Sequence, residues 1–242
     1  MIQIKANALG VMPLSIIWFA NKPMKLNCLN SFYKQSTCCE DISGYQRKSF
    51  YTKIIDLTAS EESIAGKFDQ STIYKIRRSA REGVTTDIES DINQFVIFYN
   101  LFANTKQLSS LGQNFYKYQS VIFITKAVYN QQDIVMHAYL TDKDLKRVRL
   151  FHSASLFREM NNAESKAIVG RANRLLHFKD MCLFKKEGYE IYDLGGYAEG
   201  TSDEALLGIN RFKDSFGGKL IQESDYLPLP AKILSALGKL FK

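Results

Sequence analysis

The chain is poor in the residues that build metal centres and cross-linked scaffolds. Its four cysteines are Cys28, Cys38, Cys39 and Cys182, spread over 242 residues. Adjacent Cys38 and Cys39 lack the spacing of a zinc site, and four cysteines in a chain of this size do not make a disulfide framework. They read as the reduced thiols of a cytosolic protein. The three histidines, His137, His152 and His177, form no His-Glu-x-x-His pair, so no metal is implied. No apolar run reaches the about 20 residues that a membrane-spanning helix needs. The segment from Ala8 to Ala20 comes nearest, but Pro13 interrupts it and Ala20-Asn21-Lys22 is a poor cleavage site. It reads as two early strands around Pro13. There is no G-x-S-x-G elbow, no P-loop and no G-x-G-x-x-G after a strand, which weakens hydrolase, NTPase and dinucleotide-dehydrogenase readings.

What the chain does have suits a globular protein with a sizeable core: 45% hydrophobic and 12% aromatic residues. A net charge of +7 and a pI of about 9.1 favour anionic partners, whether phosphates, RNA or an acidic membrane surface.

Residues 1 to 50 carry Ser15–Ala20 as a buried strand, and residues 27–49 read as loop or weak structure. Tyr51–Leu57 is a strand rich in β-branched residues. Thr58 with Glu61 has capping-box spacing and predicts a helix start. A helix over 71–82 carries Lys75, Arg77, Arg78 and Arg81, either as a solvated face or as an anion-facing one. After a short strand over 84–88, Asp91 caps an apolar helix that ends near Asn104. Three strands follow, over 119–129, 133–140 and 147–153; the short polar turns between them predict an antiparallel meander. Beyond residue 164 the order becomes helix–strand–helix–strand. The expected fold is therefore α/β, a mixed sheet in which the meander gives way to a crossover, with helices on both faces. Such a sheet leaves a splayed gap where the connection changes, and ligands bind near such gaps.

Three pieces of chemistry fall in the last third. Gly170-Arg171-Ala172 is placed at the start of a helix, whose free N–H groups, with Arg171 and Arg174, suit a phosphate; an ordinary helix start is the other reading. Asp193-Leu194-Gly195-Gly196 ends a strand in a Gly-Gly turn, where the carboxylate either reaches into a cleft or caps its own turn. Lys213 ends a helix, a position favoured for any cation. On the meander, strict alternation puts Val148, Leu150 and His152 on one face of the third strand and Arg147, Arg149 and Phe151 on the other. His137 and His152 are then candidates for a general base in a shared region, or structural hydrogen-bonding residues.

The run YDLGGY…GINRFKDSFGG, Tyr192 through Gly218, resembles the C-terminal signature of the FemAB-like branch of the GNAT acyltransferase superfamily. In that signature a Y-D-x-G-G turn precedes a helix ending in F-K and then F-G-G. The preceding helix NRLLHFKDMCLFKKEG and, more weakly, IDLTASEESIAGKFDQSTIYKIRRSAREGV share the likeness, which covers about residues 51 to 226. The resemblance implies a GNAT-like sheet and transfer of an acyl or aminoacyl group to an amine. In peptidoglycan-bridge members the donor is aminoacyl-tRNA; other members are taken to use acyl-CoA in exopolysaccharide or envelope-glycan synthesis. By position, Lys213 matches the F-K lysine that would stabilise a tetrahedral oxyanion, Phe212 precedes it, and Tyr192 and Asp193 match the Y-D.

Two departures stand out. Bridge-forming members carry two GNAT-like domains, whereas this chain has room for one, over 51–228, plus an extension over 1–50. Ala167 occupies the place of the Gln or Arg of the diphosphate loop. Acyl-CoA as co-substrate, aminoacyl-tRNA as co-substrate, and a non-catalytic glycan-assembly scaffold are the three readings. The acceptor is an envelope-glycan or lipid-linked precursor. The tail Ala231–Lys242, AKILSALGKLFK, is a basic amphipathic helix that either docks on an anionic membrane or packs on the domain. Its first role would place the protein on the inner face of the cytoplasmic membrane.

Overall fold

A computed structural model describes residues 1–8, 12–158 and 162–231. It consists of two units. One holds residues 1–52, 196–201 and 220 onward; the other holds 53–195 and 202–219.

The first unit is built from strands β1 (Ile2–Ala8), β2 (Met12–Trp18), β3 (Ser31–Ser36) and the opening of β4 (Tyr45–Asp56), together with most of β10 (Lys219–Pro228). Their order is β1-β2-β3-β10-β4. β1 and β2 form an antiparallel pair with Ile2 opposite Trp18. β3 runs parallel to β2 and antiparallel to β10. The two strands around Pro13 are thus present, but residues 27–49 are not loop: they hold β3 and the start of β4. The inward positions of β3 include Ser31, Gln35 and Ser36, all buried, so the strand lacks the apolar alternation that announces one. Gln35 is accommodated by donating from Nε2 to Glu223 Oε2 at 2.9 Å. Tyr33, Tyr45 and Tyr226 form the centre of the unit's core, with edge-on ring contacts at 5.7 and 6.0 Å. Residues 1–50 are therefore not an appendage, because β10 from the end of the chain completes their sheet. The tail beyond residue 231, expected as an amphipathic helix, lies outside the described residues.

The second unit has the order β4-β9-β8-β7-β6-β5. Its elements are α1 (Glu61–Ala65), α2 (Gln70–Arg81), β5 (Thr85–Glu89), α3 (Ile92–Lys106), α4 (Gln113–Tyr116), β6 (Ile122–Tyr129), β7 (Gln132–Asp142), β8 (Arg147–Ser155), α5 (Ala163–Lys186), β9 (Ile191–Tyr197, to Gly195 in this unit) and α6 (Glu204–Asp214). β5 to β8 form the expected antiparallel meander, and β9 is parallel to β8. α5 is the crossover that a parallel neighbour requires. α5 packs on β6, β7 and β8 from one side while α3 packs on β7 and β8 from the other. The caps are local. Ser60, not Thr58, caps α1, its side chain accepting from Ser63 N; Asp69 caps α2, Asp91 caps α3 and Asp203 caps α6.

One irregularity decides where side chains go. The β7–β8 register shifts between Ala138 and Tyr139, so that Ala138 faces His152 and Tyr139 faces Leu150. Phe151 is an extra residue, a bulge, and it breaks the alternation assumed from sequence. Val148 and Leu150 lie on the α5 side with His137 and Tyr139. His152 falls on the opposite side, with Arg147 and Arg149.

Candidate active site where two parallel strands part

β8 and β9 pair over only three positions, Arg147 with Ile191, Val148 with Tyr192 and Arg149 with Asp193. Beyond them the strands part. Gly195 sits at the parting with φ +75°, and a Cβ there would lie 3.0 Å from the Leu150 carbonyl oxygen. Both the backbone angle and the close approach require glycine.

Asp193 is fully buried beside this point. Its Oδ2 accepts from Arg147 Nη2 at 2.5 Å and Nε at 3.2 Å, and its Oδ1 accepts from the Gly195 N–H at 2.7 Å. The carboxylate thus fixes both the Gly-Gly turn and a buried arginine. It caps its own turn. Lys213, on the last turn of α6, is 8% exposed and donates from Nζ to the Gly195 carbonyl oxygen at 3.1 Å. Burial pushes its pKa down to about 8; Asp193 counters that shift and Arg149 adds to it. Lys213 is the one predicted site residue whose charge is adjustable near neutral pH and which lies at the parting.

Tyr192 points the other way, toward α5, into a buried network. Tyr139 Oη donates to Asp180 Oδ2 at 2.5 Å, Tyr192 Oη lies 2.7 Å from Tyr139 Oη, and His177 Nδ1 lies 2.7 Å from Tyr192 Oη. Each hydroxyl has one proton. With that of Tyr139 on Asp180, Tyr192 must donate to Tyr139, and His177 must donate from Nδ1 to Tyr192. Burial, with His137, Lys213 and Arg174 nearby, drives the His177 pKa well below its usual value, so the ring is neutral and its basic nitrogen is Nε2. Burial and the Asp180 charge raise both tyrosines far above theirs. His137 joins through Nδ1, 2.9 Å from Asp180 Oδ2, and through Nε2, 2.8 Å from the Asn173 side-chain amide. It is a hydrogen-bonded structural histidine.

His152 does not join it. Its ring packs on Tyr99, Phe115 and Phe151 at 5.0, 5.6 and 4.4 Å. Burial, with a smaller effect from Arg149, lowers its pKa to about 4. The expected pairing of the two histidines fails because the bulge at Phe151 sends them to opposite faces.

Gly170-Arg171-Ala172 does not open a helix. α5 begins at Ala163, with the Asn162 side chain accepting from Ser165 N, so residues 170–172 lie two turns inside it. Their N–H groups belong to the helix ladder and are not offered to a phosphate. Ala172 is fully buried, and Arg171 clasps Glu82 through Nε and Nη2, both at 2.7 Å. Asn162 outcompetes Gly170 as a start because it has a cap side chain. Arg174 donates to the Gly170 carbonyl and lies 4.8 Å over the Phe212 ring. Phe212 also packs on His177 and Phe216 at 5.5 and 5.3 Å. Gly196, in the first unit, lies against Phe50; a Cβ there would be 3.4 Å from that ring.

Sequence reasoning missed Arg147, Arg149, Tyr139, Asp180 and His177 as site builders. Arginines alternating on a strand flanked by apolar strands were the signal for the first two. Nothing local marks the others.

No protein-family model and no curated protein matches the sequence. Solved structures do. FemX aligns with a TM-score of 0.67 at 10% identity, over 97% of this chain and 85% of that one. The C-terminal domain of a putative lysylphosphatidylglycerol synthetase from Agrobacterium fabrum aligns with a TM-score of 0.58 at 16% identity, over 86% and 70%. L-PGS from Bacillus licheniformis gives 0.57 at 14%, over 84% and 70%. The chain shares the fold of FemX and of the other two structures. At these identities the likeness is one of fold, and the chemistry of the chain rests on its own residues.

Proposed function

We propose that the chain is an aminoacyltransferase of cell-envelope assembly, moving an aminoacyl group from tRNA to an amine on an envelope-glycan or lipid-linked precursor. The observation that carries this reading is Lys213: a buried lysine at the parting of β8 and β9, with a pKa of about 8, on the motif that the resemblance assigns to the oxyanion. The acceptor amine attacks the ester carbonyl, a C–N bond forms, and the C–O bond to the tRNA ribose breaks. The proton lost by the amine leaves on the released hydroxyl. At neutral pH the Lys213 ammonium stabilises the developing alkoxide, a contribution worth about 3–4 kcal/mol in comparable sites. Asp193 and Arg147 hold the turn against which the ammonium is set.

Two features favour tRNA over acyl-CoA as the donor. The helix start that would have cradled a diphosphate is absent at 170–172. On α2, Arg77 and Arg81 are exposed and follow Tyr74, 54% exposed, along one helix face, an arrangement that suits a nucleic-acid backbone. The Agrobacterium fabrum domain is named for a lysylphosphatidylglycerol synthetase, which accords with an aminoacyl donor.

The test supplies labelled aminoacyl-tRNA or labelled acyl-CoA with a cell-envelope precursor fraction. Label should pass from aminoacyl-tRNA to an amide-linked product, and Lys213→Ala should abolish this while keeping the native circular dichroism spectrum. Transfer by Lys213→Ala at the wild-type rate overturns the reading of the site. Transfer from acyl-CoA alone overturns the choice of donor. Arg77→Ala with Arg81→Ala should weaken tRNA binding and flatten its dependence on salt.

A further inference from the structure

The first unit carries a surface feature that the transfer reaction does not use. Between β2 and β3 the chain makes a short turn, Lys25–Asn27, and around it Leu26 is 89% exposed, Leu29 65% and Met24 60%. One exposed leucine is ordinary on a protein surface; three large apolar side chains within six residues of one turn are not.

The turn is held from beneath. Met24 N and Asn27 Nδ2 both donate to Tyr33 Oη at 3.2 Å, and Tyr45 Oη donates to the Met24 carbonyl at 3.3 Å. The Cys28 N–H closes the turn on the Lys25 carbonyl at 3.2 Å. Below it Gly44, at φ +87°, leaves room that a Cβ would fill at 2.6 Å from the Cys28 Cβ. Two tyrosines of the unit's own core thus fix the apolar tips in an outward position, and no rearrangement is needed to present them.

The charge around the turn is mainly positive, with Glu40 paired to Lys22 at 2.6 Å as its acidic neighbour. Residues 1–52 carry six Lys and Arg against two Asp and Glu, and Lys22 and Lys25 flank the tips. A second copy of this chain would bring like charges together. A protruding apolar tip that carries Lys25 in a net-positive unit suits the interface of an anionic bilayer, where leucines enter the acyl boundary and lysines meet phosphate headgroups. We infer that the turn Met24–Leu29 inserts Leu26, Leu29 and Met24 into an anionic lipid bilayer and holds the first unit on its surface. This inference does not depend on the transfer chemistry.

The full chain is tested by co-sedimentation with vesicles of phosphatidylcholine alone and with about one third phosphatidylglycerol. Wild type should partition onto the anionic vesicles. Leu26→Ser with Leu29→Ser should lower the partition coefficient at least about tenfold, and Lys25→Glu by a few fold. Trp18 is the chain's single tryptophan and is 6% exposed. In Leu26→Trp the new indole should shift its emission to the blue, and be quenched by brominated lipid, only with anionic vesicles. Equal partition of the double variant and wild type overturns the inference, as does an indole that stays in water. A change in the sedimentation of lipid-free protein on removing the leucines also overturns it, since a second copy would then be the occupant.

Discussion

Two buried polar clusters lie back to back on β9, one behind each of two consecutive residues. Tyr192 belongs to a hydrogen-bonded cluster with Tyr139, His177, His137 and Asp180. Asp193 belongs to a charged one with Arg147, Arg149 and Lys213. The first tolerates burial by sharing protons along a chain of hydrogen bonds that ends on one carboxylate. The second tolerates it by pairing. Burial shifts Tyr139, Tyr192 and His177 away from neutrality, so these groups hold their protons and give the sheet a fixed geometry. In the second the arginines cannot deprotonate, and the one group that burial brings toward neutral pH is Lys213. On the proposed mechanism, rigidity and reactivity are divided between the two clusters.

The division can be broken most strongly at Asp193. Asp193→Asn removes a buried charge paired with Arg147 and should destabilise the protein by about 3–5 kcal/mol in urea unfolding. A loss below about 1 kcal/mol would show that the pair is not structural. Next comes the alkaline limb of activity. If the Lys213 cation acts, kcat/KM should fall tenfold per pH unit above about pH 8. Lys213→Arg, if it retains activity, should carry no such limb. A wild-type profile flat to pH 10 would remove the cation from the mechanism.

His152 sharpens the contrast from the acid side. Its folded pKa of about 4 lies below the 6.5 of the unfolded chain. The unfolded state therefore binds more protons between these values, and stability falls as pH drops from 6.5 toward 4, by about 3 kcal/mol for this group. His152→Phe should lessen that slope in pH-dependent unfolding. The smallest effect is expected from Tyr192→Phe, which deprives Tyr139 of a donor and His177 of an acceptor and should destabilise by about 1–2 kcal/mol, without moving the alkaline limb. A shift in that limb would join the two clusters.

Much of the second unit is legible in the sequence because its signals are local: aspartate caps, a meander with short turns, and glycines at the ends of α5 and β9. Lys213 and the Gly-Gly turn were placed by motif, and the structure puts them together. What was not legible depends on pairing between distant residues. The bulge at Phe151 has no sequence mark, and it reverses the assignment of His152. Asn162 is a good cap residue, but the G-R-A motif draws the sequence reading to Gly170, and the cap bond to Ser165 N decides the start. Gln35 and Glu223 satisfy each other across 188 residues, so β3 carries polar residues where a strand pattern demands apolar ones.

That distance has a consequence for synthesis. β3 is held by β10, with Ser36 opposite Ser224 and Tyr33 opposite Tyr226. On the ribosome, β3 must therefore wait with an unpaired edge until β10 has emerged. The second unit can mature in the meantime, and closing the first is the last step. A release before residue 219 should leave an aggregation-prone nascent chain, and such a chain is a natural client for a holdase chaperone.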